Sequence, residues 1–267
     1  MPLDGAVLVV TGAGNGIGRR VALELVARGA VVAAADRDER ALADLASASS
    51  RISTHLLDIA DRAAVQAFPA EVLARHGRVD GLFNIAGVGQ RVATVAELGD
   101  AEIETVLAVN FSGAVWMCRA FLPHLLRRPR AIIVNTSSLS ALVPVPGSAI
   151  YGASKAALAL FGYGLAQDLR GRTAVTVTTV LPGAVWTDLV RRSAAALGAP
   201  ERVARAFAAE PERVARRMVD AAVAGRGRVV IGGDARVYDI VRRVSTRAAD
   251  RLSYLQVGRV FYRRARS

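Results

Sequence analysis

Tyr151 and Lys155 stand four residues apart in Tyr151-Gly152-Ala153-Ser154-Lys155, a spacing that sets a phenol and an ammonium on one face of a helix. Such a pair has a use in proton transfer. A phenol with a pKa of about 10 is a poor base at neutral pH, and a neighbouring cation stabilises the phenolate and lowers that value. By itself the pattern more often means a half-buried tyrosine and an exposed lysine. Two further features point to chemistry. Lys155 is the single lysine among 35 Lys and Arg side chains, so a compact ammonium is kept where a planar guanidinium would not serve. Ser138 lies at the end of a strand read at Ala131 to Thr136, near the mouth of a parallel sheet, where ligands bind.

A second cluster stands at the start of the chain. Thr11-Gly12-Ala13-Gly14-Asn15-Gly16-Ile17-Gly18 follows a Val-rich strand (Ala6 to Thr11) and opens a helix with apolar residues at Ile17, Val21 and Leu25. Absent side chains there let backbone N–H groups and the positive helix end approach a pyrophosphate. A glycine-rich turn alone can be no more than a tight strand-to-helix connection. Here Asp36 ends the next strand, at Ala30 to Ala35, where a carboxylate accepts from a ribose diol; otherwise it is a loop acid or helix cap.

The elements that must position these groups alternate. Strands are read at Ile52 to Leu57, Val79 to Ile85, Ala131 to Thr136, Ala174 to Leu181 and Arg228 to Ile231. Helices are read between them, including a long one from about Ala101 to Leu126 and one from Tyr151 to Leu169. This alternation calls for right-handed crossovers and a doubly wound, Rossmann-type parallel α/β sheet with helices on both faces. We expect one catalytic domain over residues 1–233 and a basic amphipathic helical extension over residues 234–267.

Composition narrows the class. Apolar residues make up 52% of 267, enough for a buried sheet and too many for a disordered chain. The single cysteine, Cys118, excludes an internal disulfide and fits a reducing compartment. No basic stretch followed by a long apolar run opens the chain, and apolar runs read as too interrupted for a membrane span. A soluble cytoplasmic protein is expected. Of the net charge of +12, residues 234–267 contribute nine Arg against three Asp, or half the excess. Basic residues interleaved with aromatics are not spread along the body, which argues against a nucleic-acid partner. No metal-ligand set is expected.

The combination of T-G-x-x-x-G-I-G, N-x-A-G, S-S followed 13 residues later by Y-x-x-x-K, and then P-G, resembles the single-domain short-chain dehydrogenases/reductases over about residues 4 to 232. The resemblance implies hydride transfer between a nicotinamide dinucleotide and an alcohol or ketone. It implies that Gly12, Asn15, Gly16, Ile17 and Gly18 form the cofactor loop, with Asp36 and Arg37 at the adenosine ribose and Asp58 and Ile59 by the adenine. Asn84, Ala86 and Gly87 would lie beside the cofactor, where Ile85 replaces a frequent second Asn. Asn110 would complete a catalytic tetrad with Ser138, Tyr151 and Lys155, holding a water that links Lys155 to solvent. Pro182, Gly183, Val185 and Thr187 would close over the nicotinamide. Tyr151 would move the substrate proton, Ser138 hold the substrate oxygen, and Lys155 bind the ribose and depress the phenol pKa. Asp36 favours NAD; Arg37 is the one feature that favours NADP.

Substrate identity is less legible. Leu139, Ala141, Leu142, Val143 and Val145, then Val185, Trp186, Leu189 and Val190, are apolar, so the expected small-molecule substrate is an apolar secondary alcohol or ketone (steroid-like, terpenoid, acyl-chain or small aliphatic), with Arg191 and Arg192 close by. A homodimer or homotetramer is expected. A cofactor-binding regulator without turnover is the alternative, with an NAD-using epimerase or dehydratase less favoured because such relatives have a larger C-terminal region. The tail departs from the family pattern. Val237, Ile240, Val241 and Val244 form one helical stripe, with Arg236, Arg242, Arg243 and Arg247 around it. Leu252, Leu255, Val260, Phe261 and Tyr262 follow, among Arg259, Arg263, Arg264 and Arg266. The segment can pack on its own body, join a sister subunit or lie on an anionic membrane.

Overall fold

In a computed structural model, described over residues 1–171 and 173–258, seven parallel strands form one sheet in the order β3-β2-β1-β4-β5-β6-β7. The strands are β1 (Val7–Thr11), β2 (Val31–Asp36), β3 (Ile52–Leu56), β4 (Gly81–Asn84), β5 (Ala131–Thr136), β6 (Val175–Pro182) and β7 (Arg228–Ile231). Those at the centre are buried along their whole length, as a parallel sheet covered on both faces requires. The chain runs from β1 outward to β3, then crosses back to pair β4 with the other side of β1. At that reversal neighbouring loops leave in opposite directions and open a crevice.

One face is covered by α1 (Gly16–Ala27), α2 (Glu39–Ala46) and α9 (Pro211–Val223), whose Val21, Leu25, Leu42, Val214 and Met218 join Leu8, Val10, Val32 and Phe83 in one core. The other face carries α3 (Arg62–His76), α4 (Asp100–Leu107), α5 (Ala114–Leu125) and α6 (Ala149–Leu169). There Phe68, Met117, Phe121 and Leu165 pack on Val9, Leu82 and Ile133. Local signals set the helix ends. Asp38 and Asp61 accept from backbone N–H groups in the first turns of α2 and α3, and Gly77 ends α3 at φ 70.

The long helix expected from Ala101 differs in one respect. Between α4 and α5 the chain makes a π-helical turn, Ala108–Gly113, that buries Asn110. Such wider turns are frequent at functional sites. The continuous stretch Asp100–Leu125 is also long and apolar enough to cross a membrane by length and composition alone, which corrects the expectation that no run reaches that length. Its Val109, Met117, Phe121 and Leu125 lie in the core against the sheet, and Val106 is buried beside them.

After β6 come α7 (Asp188–Ala196) and α8 (Glu201–Phe207), and after β7 the extension forms α10 (Gly233–Val244), α11 (Thr246–Ser253) and a π-helical turn, Tyr254–Gly258. It folds onto the body, but not by the face expected. Ala235 and Tyr238 are buried and Val241 half-buried, whereas Ile240 and Val244 face outward and Val237, also exposed, borders the open cleft. The inward face is chosen by the loop after β5, where Val143 meets Tyr238 and Ala249. The expected contributions of Arg259 to Arg266 lie outside the described residues.

Asp80 fastens the two central strands at their starts. Its carboxylate accepts from Val7 N at 2.9 Å, from two nitrogens of Arg78 at 2.8 and 2.9 Å, and from Arg128 Nε at 2.7 Å. Burial alone would raise its pKa; the Arg78 bonds, the Val7 N–H and the Arg128 charge outweigh that and hold it below the ordinary carboxylate value. A depressed folded pKa stabilises above the unfolded value and is lost as pH falls through the folded one. We expect Asp80→Asn to lose about 2–3 kcal/mol at pH 7 and to show a smaller loss between neutral and acid pH than wild type, read by urea unfolding at both.

Candidate active site

The crevice at the chain reversal is a cleft of about 1590 Å³. Of the residues expected to hold a cofactor, all but Asn84 line it. The glycine loop leaves β1 and turns into α1. Gly12, at φ 67, lies so close to the end of β4 that a Cβ would stand 2.7 Å from Ala86 Cα. Gly18, in the first turn of α1, leaves no room for a side chain against the Gly12 carbonyl. The two glycines therefore let strand, loop and helix close on one another, and the first N–H groups of α1 stay open toward the cleft. Asp36 borders the same space. Its Oδ2 accepts from Gly14 N at 2.9 Å and its Oδ1 from Asp38 N at 3.0 Å, so it also fixes the loop. Arg37 and Asp58 are exposed at this end, while Ile59 is buried.

Asn84 is a correction. On a strand successive side chains alternate between faces, and Asn84 points to the face opposite the glycine-loop core. There its Nδ2 donates to Asn135 Oδ1 at 2.9 Å and lies 3.3 Å from Cys118 Sγ. Cys118 is fully buried, and desolvation pushes its thiol up to about 12.

At the other end, Ser138, Tyr151 and Lys155 face one cavity. β5 ends at Thr136, and Ser137 and Ser138 follow directly. The strand end and α6 are stitched both ways: Ser137 Oγ donates to Lys155 O at 2.7 Å, and Lys155 Nζ donates to Thr136 O at 3.0 Å. Lys155 is only 3% exposed, and burial lowers its pKa to about 8. Tyr151 differs from expectation. Burial dominates and raises its phenol above the ordinary value, the contact with Ser138 pulling partly back. Lys155 Nζ is 6.0 Å from the ring centroid and directs a proton to the Thr136 carbonyl instead.

Asn110 stands behind this group rather than in the cavity wall. Its Oδ1 accepts from Val88 N and its Nδ2 donates to Val88 O, both at 2.8 Å, with Ser154 Oγ at 3.1 Å. The side-chain amide is thereby committed to protein partners. It fixes the loop after β4, where a Cβ on Gly87 would meet Lys155 Nζ at 3.0 Å and Asn110 Oδ1 at 3.2 Å.

Sequence reasoning missed Gln90 and Ser154. Gln90 Oε1 accepts from Tyr151 N at 2.8 Å, in the first turn of α6, while its Nε2 donates to Gly147 O. Ser154 Oγ donates to Tyr151 O at 2.7 Å. Gln90 carries no local signal, because only the fold brings it near Tyr151, and Ser154 is distinguished from any other helical serine only by the distant Asn110 that donates to it. Past β6, Pro182, Gly183 and Val185 line the cleft, and Thr187 heads α7 with its Oγ1 donating to Val185 O rather than capping the helix.

A missing Cβ at Gly12 and Gly18, open helix N–H groups and an acid at the end of β2 suit a dinucleotide. Comparisons with known proteins agree. Residues 6–198 match the family model described as short chain dehydrogenase. SadH of Mycobacterium tuberculosis is 35% identical over 97% of both chains. A meso-2,3-butanediol dehydrogenase of Serratia marcescens is 35% identical, over 80% of this chain and 86% of that one. Among solved structures, a short chain dehydrogenase/reductase from Burkholderia phymatum in complex with NAD superposes with a TM-score of 0.81 at 30% identity, covering 90% of this chain and 93% of that one. The chain belongs to the short-chain dehydrogenases/reductases, a family of oxidoreductases.

Proposed function

We propose that this protein moves a hydride between NAD(H) and an apolar secondary alcohol or ketone, with Tyr151 as the proton-transferring group. The observation that carries this reading is the meeting of Ser138, Tyr151 and Lys155 at one end of a cleft whose other end is the glycine loop. Bound there, the dinucleotide would supply the hydride acceptor or donor. The N–H groups at the start of α1 would hold its pyrophosphate, Asp36 its adenosine ribose, and Lys155 its second ribose. Ser138 donates a hydrogen bond to the substrate oxygen. Tyr151 takes the hydroxyl proton as the alcohol carbon gives up hydride, or returns it to a carbonyl oxygen as that carbon gains one. Lys155 offsets charge on the phenolate from within the same dry site. Leu139, Val143, Val145, Trp186 and Leu189 line the cleft and favour an apolar substrate.

The raised phenol holds its proton at neutral pH, which suits carbonyl reduction. Ketone reduction should therefore be flat through neutral pH and fall under alkaline conditions, with alcohol oxidation rising over the same range. Tyr151→Phe should lose both by a factor of about 100 or more while NADH fluorescence still reports binding. Near-normal rates in that variant across a substrate panel would end the assignment.

Lys155 carries a cost in stability. Its folded pKa of about 8 lies below the unfolded value of about 10.4, so burying the charged form opposes folding below pH 8. That penalty fades as pH rises from there toward the unfolded value. Lys155→Met should stabilise the cofactor-free protein by about 1–2 kcal/mol at pH 7 and abolish turnover. Urea unfolding at pH 7 and pH 10 checks the sign, since the gain must shrink at the higher pH.

For coenzyme choice, Asp36 would accept from both ribose hydroxyls and repel a 2′-phosphate. We expect kcat/KM to favour NAD over NADP, and Asp36→Asn to narrow the ratio tenfold or more. A wild-type preference for NADP contradicts this.

A further inference from the structure

The cleft extends beyond the family-model match, which ends at residue 198. Residues of the C-terminal extension face it: Val237 and Tyr238 from α10, Ser253 from α11, then Gln256 and Val257. The extension is fixed to both loops that carry the chemistry. On one side Asp234 Oδ2 accepts from Ala184 N at 2.7 Å, two residues past Pro182. On the other, Ser253 Oγ donates to Pro144 O at 2.6 Å, and Arg242 donates to the Ala141 and Leu142 carbonyls. Arg228, the first residue of β7, holds α10 through Asp239. Beneath lies a small apolar core of Val143, Tyr238 and Ala249, with Leu139, Leu142, Val241 and Leu252 against it.

We infer that residues 233–258 form a wall of the substrate pocket, with Tyr238 and Gln256 as a specificity-determining pair for a bulky apolar substrate that carries a second, uncharged polar group. Tyr238 is 6% exposed and its hydroxyl donates to Gln256 Oε1 at 2.6 Å. The phenol oxygen also meets Ser253, whose proton goes to Pro144 O, so it still has a lone pair to offer, and the amide still has its N–H groups. Together they accept from and donate to one hydroxyl, or donate to one carbonyl. Neither is charged, so the pair does not suit a carboxylate or phosphate. Around it Leu139, Val143, Val237 and Val257 supply apolar surface. A short substrate would leave this surface hydrated and gain nothing from it. A longer one would displace that water and gain affinity with the apolar area it buries.

The inference rests on the oxidoreductase reading above, and its test keeps the two apart. Steady-state kinetics with NAD are compared for 2-butanol, 2-undecanol and 1,10-undecanediol in wild type, Tyr238→Phe, Tyr238→Ala and Val257→Trp. Binding of the matching ketones to the NADH complex is read in parallel by thermal shift, with NADH affinity as the check on folding. Tyr238→Ala and Val257→Trp should each lower the 2-undecanol to 2-butanol ratio of kcat/KM tenfold or more, mainly through KM. Tyr238→Phe, which keeps the wall and removes the hydroxyl, should spare that ratio and lower the diol's preference over 2-undecanol. Unaltered ratios in Tyr238→Ala and Val257→Trp, with NADH still bound, would overturn the wall. If wild type oxidises none of the three, ketone binding that separates the variants in the same order upholds the wall and removes the proposed turnover of apolar secondary alcohols. Failure of every ketone to bind overturns the pocket itself.

Discussion

The site depends on how β1 and β4 part company. They pair side by side only as far as Val10 and Phe83, and beyond that the N–H groups of Ile85 and Ala86 have no strand to receive them. Buried donors left that way cost about 1–3 kcal/mol each. Thr11 Oγ1 accepts from both, at 3.1 and 3.2 Å. One hydroxyl thus allows the strands to separate without orphaned groups, and the crevice opens beside it. Gly12 then follows at the closest approach to Ala86. A residue without a hydroxyl at position 11 would leave the pairing sequence intact and the mouth of the cleft unsupported.

The chemical end is built from a different compromise. A buried ammonium beside a phenol is unfavourable for folding, and the chain surrounds it with polar side chains that face inward from several elements. Ser137 and Thr136 tie it to β5, Ser154 and Asn110 tie its helix to the π-helical turn, and Asn110 reaches on to Val88. Asn110 lies within the wider turn and is buried there, a setting frequent at functional sites. Rigidity here comes from hydrogen bonds between elements, since an apolar core could not hold a charge in place.

The alternation of strands and helices was legible from apolar periodicity, and strand bounds moved by only a residue or two. Motifs at strand ends were legible too, because the glycine loop, Asp36, Ser138 and Tyr151 each sit where a parallel sheet presents its ligands. What escaped reading was orientation. Asn84 belongs to a recognised motif yet faces the wrong side of the sheet, since a motif string does not show which way its side chains point. Gln90 caps α6 from 61 residues away, and no local pattern announces that. The stripe on α10 was misjudged for the same reason. Helical spacing names a candidate face, but Val143 and the Arg242 contacts decided which face turned inward.

Cys118 acquires a use from its position. It is the chain's single cysteine, buried where α5 meets β4 and β5, with its thiol pushed up to about 12 and bonded to the Asn84 and Asn135 amides. Alkylating reagents act on the thiolate, which is scarce in the native state and screened from solvent. Covalent labelling can then proceed only through openings that lift α5 off the sheet. Trapping rates with a maleimide would read the frequency of those openings at one defined point beneath the catalytic strands. Nature has thus left an internal clock for the breathing of this domain, with no competing thiol to blur it.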